Sequence, residues 1–567
     1  MQLLLKYKYI FFIILAYALY GNTIQNSYSI DDDLVTNHCI TTNGFSSIKK
    51  IFTTPYSSNE EGKGFEYRPI VKLSYAIEHV FFGVNPHLSH FMNVLLYSLT
   101  LILLFKTLLV IFGEEKKQFI FFTVLIFAII PAHTEVVDSL KNRDILLCYI
   151  FSMLGFLQFN IFQKNKNYLF LIFGIAFMIT AFLSKFDALP LLLLFPILLF
   201  HKTDFTIKRI SFTVLIALVI YHGRGLIEDT LVGENMIRSE YFQFENPLYF
   251  FNPTHLKIAC LLNSLGFYTK LLFFPFNLTS YYGYNTLSIY DYFSLESFLG
   301  FVVSVLMIFG LIKHFKNRQH PIFIGIVFLV CSISMYLNFI LPAPGIVADR
   351  FVFFASTGFA IILSYFLLYI SNMYKHILNF KISSLTLLVT LLCCIYIPTI
   401  LSRNKEWKSL FSLVEADVKK YPNSVKLNVL YSNELISSIT KKENYLTSAE
   451  IAKRIIAAKE HLLKAHNIDS TYYNVSNSMG YIALSIQNNP SEALSWFKKS
   501  YRQNPTKFET VLNMAICYEK INKIDSALFY FEKTYLIKPK DERLKIYLSN
   551  YLKSINRKDL MLKYYPS

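Results

Sequence analysis

The chain has 567 residues, 54% of them hydrophobic, 17% aromatic and only 16% charged, with a mean hydropathy of +0.39, which excludes a soluble globular protein of this length. Its formal net charge of +17 would suggest a nucleic-acid partner on a soluble protein. Here much of that charge falls in short loops between apolar runs, as membrane topology requires, and no nucleic acid is expected.

The apolar content fills residues 1 to about 401 and then drops. Residues 4–20 are apolar with lysines near their start; they read as a cleaved signal peptide or, with no A-x-A site following, as an uncleaved first span. A polar stretch follows and ends in the amphipathic segment PIVKLSYAIEHVFFG. Further spans are predicted near 91–112, 118–132, 145–162, 168–183, 187–200 and 209–222. After a second large loop over about 223–255, others follow near 295–313, 321–341, 351–371 and 382–401. Segment 256–275 is long enough to cross but carries Asn263, Gly266 and Lys270. With the N-terminus inside, GEEKK at 113–117, QKNKN at 163–167 and HKTDFTIKR at 201–209 are cytoplasmic. KHFKNR at 313–318 joins them only if 256–275 lies along the outer face. This predicts about eleven spans, with the first loop and the tail on the extracytoplasmic side.

Five cysteines (Cys148, Cys260, Cys331, Cys393, Cys394) lie in apolar runs, and only Cys39 and Cys517 lie outside them, so there is no disulfide framework. In the tail, Ala493, Phe497 and Pro505 recur 34 residues later as Ala527, Phe531 and Pro539, the period of tetratricopeptide repeats. A generic amphipathic bundle is the plainer alternative. The predicted architecture is all-α: a polytopic membrane bundle over 1–403 followed by an α-solenoid over 404–567.

Chemistry-bearing residues gather at the predicted outer loops. Asp31, Asp32 and Asp33 follow the first span. Adjacent acids at a membrane edge can hold a raised pKa suited to a general base, or can form a solvated acidic turn. Glu66 and Arg68 precede the amphipathic segment. His133 and Glu135 end one span, Lys141, Arg143 and Asp144 begin the next, Lys185 and Asp187 occupy another outer turn, and Asp349 and Arg350 begin a further span. Arginine forks match phosphate oxygens, so the set suits an anionic lipid headgroup; it also suits helix ends that pair with one another. His133 and Glu135, two apart, form no recognised zinc pattern, and no metal is predicted, although a divalent ion is left open.

The segments SIDDDLVTN, EYRPIVKLSYAIEHVFFGVNPHLSHFMNVLLYS, PAHTEVVDSLKNRDILL, VADRFVFFASTGF and EWKSLFSLVEADVKKYPNSVK occur in an order that resembles the TMTC-type family of membrane and tetratricopeptide protein O-mannosyltransferase-like proteins. The KNRD form looks like a bacterial branch. The resemblance covers nearly the whole chain and implies a GT-C glycosyltransferase fold. It further implies an inverting transfer of a hexose such as mannose from a polyprenyl-phosphate donor to a protein hydroxyl or other extracytoplasmic acceptor, which the repeats would hold. By the same resemblance Asp31 is the general base and Asp32 orients the acceptor or the base. Arg68, Arg143 and Arg350 are expected at the carrier phosphate, with His133, Glu135 and Asp144 supporting them. No cofactor is expected beyond the lipid-linked sugar substrate, and the location implied is the cytoplasmic (inner) membrane. Two other classes stay open: a membrane-anchored scaffold whose repeats recruit partners, and a lipid-linked glycan transporter. Against the transporter, polar groups gather at one face rather than at the midplane.

Overall fold

The computed structural model describes residues 2–36, 39–58, 64–201, 206–233, 241–251, 253–287, 290–374, 384–440, 446–539 and 541–557. The chain forms two compact units. The first runs to Lys420, apart from two short insertions around 58–63 and 237–244; the second takes those insertions and everything from Tyr421.

The first unit is a helical bundle. Helix α1, Lys8–Tyr20, leads into a stretch of short turns before α2, Pro69–Phe82. Proline at the first helical position starts α2, and Gly83, with φ of 69°, stops it. This is the amphipathic segment anticipated above, with Val71, Tyr75, Ala76 and His79 buried on one side. Helix α3, Pro86–Phe112, is capped by Asn85, whose side chain accepts the N–H groups of His87 (3.0 Å) and Leu88 (3.4 Å). Helix α4, Lys117–Ala128, bends by 57° into the short α5, Thr134–Asp138, across Pro131. Then come α6, Arg143–Asn165, α7, Tyr168–Ser184, α8, Leu191–Phe200, and α9, Ile207–Leu231. The bundle continues with α10, Thr254–Phe273, α11, Leu295–His314, α12, Pro321–Ile333, α13, Ala355–Tyr374, α14, Ser384–Glu406, and α15, Leu410–Lys420. Its core is aromatic: Phe12, Tyr97, Phe105, Phe127, Tyr149 and Phe353 are fully buried.

Seven of these helices are long and apolar enough to cross a membrane, or eight if the bent α4–α5 pair counts as one span. The first unit is that of a multi-pass membrane protein, but length and composition do not reproduce eleven spans. Helices α7, α8 and α12 are apolar but short, and α1 has only 13 residues. Helix α10, expected to lie along the outer face, qualifies as a span by length and composition. Two predicted boundaries also move. The loop expected from 223 begins after Leu231, because Arg224 pairs with Glu228 one turn on and extends the helix. Residues past the last apolar run, up to Lys420, stay with the bundle: Arg403 holds Asp417 at 2.6 Å, and Lys420 donates to the Leu278 carbonyl at 3.0 Å.

The second unit is a succession of helices: α16, Val425–Thr440, α17, Ser448–Ile468, α18, Tyr473–Tyr481, α19, Pro490–Gln503, α20, Phe508–Lys520, α21, Ile524–Ile537, and α22, Glu542–Ser554. The residues behind the 34-residue repeat occupy matching places. Ala493 and Phe497 on α19, and Ala527 and Phe531 on α21, are all fully buried. Phe242 and Phe244 pack on Tyr472, at 5.2 and 4.5 Å between ring centroids, so residues of the second large loop belong to this unit.

Candidate active site

The acidic triplet follows the first helix at a tight corner. Asp31 takes a left-handed backbone, with φ of 60°, and Asp32 opens the single 3-10 turn Asp32–Leu34. The two side chains then part. Asp32 is fully buried: one carboxylate oxygen accepts the Ser29 N–H at 2.8 Å, and the other accepts the Lys141 N–H at 2.9 Å. Burial pushes its pKa up to about 7, although the two N–H groups oppose the shift. Asp31 keeps a side chain that is 44% exposed, 2.6 Å from the Lys141 ammonium. Asp32 is thus the anchor of the corner, and Asp31 is the more exposed of the two carboxylates.

Lys141 belongs to the short turn Leu140–Asn142 that precedes α6. The next two residues, Arg143 and Asp144, are buried and do different things. Arg143 turns inward. Its Nε donates to Asn93 at 2.7 Å, its terminal nitrogens to Glu78 at 2.8 Å and the Ser89 carbonyl at 2.9 Å, and its guanidinium lies 3.8 Å from the Tyr75 ring centroid. It clamps α2, α3 and α6 together. Arg143 was expected at the donor phosphate; here its fork is engaged by protein partners on both sides.

Asp144 instead gathers cations. It pairs with Arg68 and, at 3.3 Å, with Lys185. Arg68 also pairs with Glu66 and lies 4.9 Å from the Tyr56 ring centroid. Although burial disfavours its charge, these acids hold the Arg68 pKa above its usual range. Arg350 pairs with Glu135 through its guanidinium and through its backbone N–H, the latter at 2.8 Å. The Tyr336 ring stacks on Phe351 at 4.0 Å between centroids, and the Arg350 guanidinium lies 4.9 Å from that same Phe351 ring. Tyr56 joins the two halves, since its hydroxyl senses Arg68, Asp144, Glu66 and Asp31.

Of the residues singled out from sequence, Asp31, Asp32, Arg68, Asp144, Glu135 and Arg350 converge at one end of the bundle. His133 does not join them. Its ring nitrogens meet the Tyr97 hydroxyl at 3.0 Å and the Ser356 hydroxyl at 2.9 Å, between the rings of Phe127 and Phe353. It is a buried linker between helices. Two residues were noted only as loop charges and belong to the site. Lys185 is one. Asp349 is the other: it is buried beside Glu135, accepts the Tyr282 hydroxyl at 2.5 Å, and has its pKa pushed up to about 8, chiefly by burial. Their signal was the outer-turn position next to another charge, Asp187 in one case and Arg350 in the other. Among the described residues, no three of His, Cys, Asp and Glu converge as metal ligands.

A multi-pass helical bundle with a mixed cluster of acids and guanidinium groups at one end, followed in the chain by a helical unit carrying a 34-residue repeat, defines a class of polytopic membrane protein. No known family profile matches the chain. It is similar to the Caenorhabditis elegans Protein O-mannosyl-transferase F38B6.6, at 22% identity over 432 residues, covering 72% of this chain and 57% of that protein. Mouse Protein O-mannosyl-transferase TMTC3 is 22% identical over 456 residues, covering 75% and 48% of the two chains. Human Protein O-mannosyl-transferase TMTC1 is 31% identical over a shorter stretch of 151 residues, covering 25% and 16%. The chain is in this sense TMTC-like, and it spans about half the length of the nematode and mouse relatives.

Proposed function

We propose that the protein is a membrane glycosyltransferase that moves a hexose, mannose by analogy with its relatives' names, from a polyprenyl-phosphate carrier to a hydroxyl on a protein or other extracytoplasmic acceptor. Asp31 takes the acceptor proton as the hydroxyl oxygen attacks the anomeric carbon from the face opposite the carrier. The bond from that carbon to the phosphate oxygen breaks with its electron pair leaving on the phosphate, and the configuration inverts. Arg68, Lys185 and Arg350 stabilise the charge that grows there. Asp144 and Glu135 hold these cations in place, and Asp32 fixes the corner that presents Asp31. The helical repeats of the second unit offer the acceptor a surface.

One observation supports this reading: a partly exposed carboxylate beside a buried anchor shares the end of the bundle with three cations, Arg68, Lys185 and Arg350, that are held by Asp144 and Glu135. The basic loops at 113–117, 163–167 and 201–209 favour the extracytoplasmic side of the inner membrane for that end. The test is transfer of labelled mannose from polyprenyl-phosphate mannose to acceptor peptides by the full chain in detergent. Asp31→Asn is expected to lower the rate by at least a hundredfold, within the range of a general base, while the protein stays folded. Undiminished transfer by that variant rejects the assignment.

A further inference from the structure

The candidate active site occupies one end of the bundle, and a second site lies at the other. A groove of about 760 Å³ runs between α6, α7, α8 and α9. Its walls are apolar, with Phe159, Met178 and Ile220 among them, and its mouth carries Lys166, Lys208 and Arg209. No acidic residue is among its described lining. The volume lies within the range of sites that enclose an organic ligand.

Helix α6 fixes the position of this groove. It starts at Arg143, next to Asp144 of the candidate active site, and is ended by Lys166, whose left-handed backbone has φ of 56°. At 1.5 Å per residue its two ends are roughly 33 Å apart, about the thickness of a hydrocarbon core. The basic mouth therefore lies a whole leaflet pair away from Asp144. Local structure holds the three cations near one another. Asn167 caps α7 by accepting the Leu169 N–H at 2.9 Å, just past Lys166. Thr206 caps α9 at the turn bearing Lys208 and Arg209, and Arg209 lies 5.7 Å from the Phe200 ring centroid. Gln163 ties α6 to the Leu199 carbonyl of α8 at 3.3 Å at the same end of the groove.

An apolar slot whose charged residues, among those described, are all cations at one end of the bundle matches one ligand chemistry, an acyl chain ending in a phosphodiester. We infer that the groove between α6, α7, α8 and α9 binds an anionic glycerophospholipid of the leaflet opposite the candidate active site, its phosphate held by Lys166, Lys208 and Arg209 and one acyl chain lying between Phe159 and Ile220. The site is separate from that of the proposed sugar carrier, and the inference does not depend on the transferase reading.

Native mass spectrometry of the full chain in detergent, titrated with phosphatidylglycerol and with phosphatidylcholine of identical chains, tests it. Phosphatidylglycerol is expected to be retained preferentially. Lys208→Gln/Arg209→Gln is expected to weaken its retention by about fivefold per cation removed. Ala217→Phe, which fills the groove and keeps every charge, is expected to weaken it as well. Equal retention of the two lipids, or retention unchanged by either variant, overturns the inference. Displacement by inorganic phosphate alone overturns it in favour of a free-anion site. Tighter binding of polyprenyl phosphate than of phosphatidylglycerol overturns it in favour of the carrier.

Discussion

The ammonium of Lys141 sits 2.6 Å from Asp31. The same residue's backbone N–H is bound by Asp32 at 2.9 Å, so one lysine ties both neighbouring acids to the start of α6. The two ties differ in kind. The bond to Asp32 uses the main chain and is partly buried, and replacing the Lys141 side chain by that of methionine leaves it in place. The ion pair with Asp31 is half in solvent and is worth at most about 1 kcal/mol to stability. Lys141→Met is therefore expected to leave the melting temperature within a few degrees of wild type. It is also expected to lower the transfer rate, because the ion pair that holds the Asp31 side chain in place is lost. Steady-state rates for the variant beside its thermal melt check this. A rate equal to that of the wild type assigns the lysine no part in positioning Asp31.

Arg143 and Lys185 exchange the roles that residue type suggests. Removing Arg143 leaves the Glu78 carboxylate buried without its cation, and breaking a buried pair in this way costs roughly 3–5 kcal/mol. Arg143→Met is expected to lower the melting temperature sharply and, in whatever folded protein remains, to leave the KM for the lipid-linked sugar unchanged. Lys185→Met loses one partner of Asp144, while Arg68 still satisfies that acid. It is expected to raise donor KM by about tenfold to a hundredfold, the equivalent of one hydrogen bond to a charged group. Steady-state kinetics alongside thermal melts separate the two patterns, and a donor KM raised only by the Arg143 variant reverses the assignment.

Two buried acids tie stability to pH. Burial lifts Asp32 to about 7 and Asp349 to about 8, against unfolded values near 4. A folded pKa above the unfolded one means that the folded state binds more protons between the two values. The stabilisation is fully present below about pH 4 and is lost as pH rises through 7 and 8, with a slope of at most about 1.4 kcal/mol per unit for each group. The melting temperature of the full chain is expected to fall from pH 5.5 to pH 8.5. Asp349→Asn can keep the acceptor for Tyr282 and places its amide nitrogen where the other carboxylate oxygen lacks a partner. That variant is expected to flatten the fall and to be more stable than wild type at pH 8.5; equal slopes for the two proteins contradict it.

The parts of this structure that were readable from sequence are those set by local pattern. Proline before an amphipathic run and glycine after it delimit Pro69–Phe82, and the spacing of Ala493 and Phe497 from Ala527 and Phe531 marks matched buried positions. The acidic triplet could be placed at an outer corner, and family resemblance named Asp31 and Asp32. What separates their roles is which one is buried, and this depends on Lys141, more than a hundred residues away. The surroundings of Arg143 were hidden for the same reason: a guanidinium next to a loop looks available until Glu78, Asn93 and Ser89 surround it. Lys185 and Asp349 gain their importance only from the neighbours that folding brings. The charge rule that put 256–275 on the outer face weighs loop charges and takes no account of packing, whereas the unbroken helix Thr254–Phe273 is set by its contacts with Leu295–His314.

Those contacts give a stability test independent of function. A methyl group at Gly266 would lie 1.7 Å from the Glu296 carbonyl oxygen, and one at Gly300 would lie 2.0 Å from the Leu262 carbonyl oxygen. Both obstacles are backbone, so no side-chain rotation relieves them, and α10 and α11 would have to separate. Gly266→Ala is expected to destabilise by about 1–3 kcal/mol or more, the usual range for overpacking. Gly225, within α9, has nothing within 4 Å of the added atom. There the gain in helix propensity acts alone, and Gly225→Ala is expected to be stabilising by about 0.5–1 kcal/mol. Thermal melts of the two variants in the same detergent should move in opposite directions. If Gly266→Ala melts with or above wild type, the close approach of α10 and α11 is wrong, and so is the placement of the helix whose path across the membrane the sequence left ambiguous.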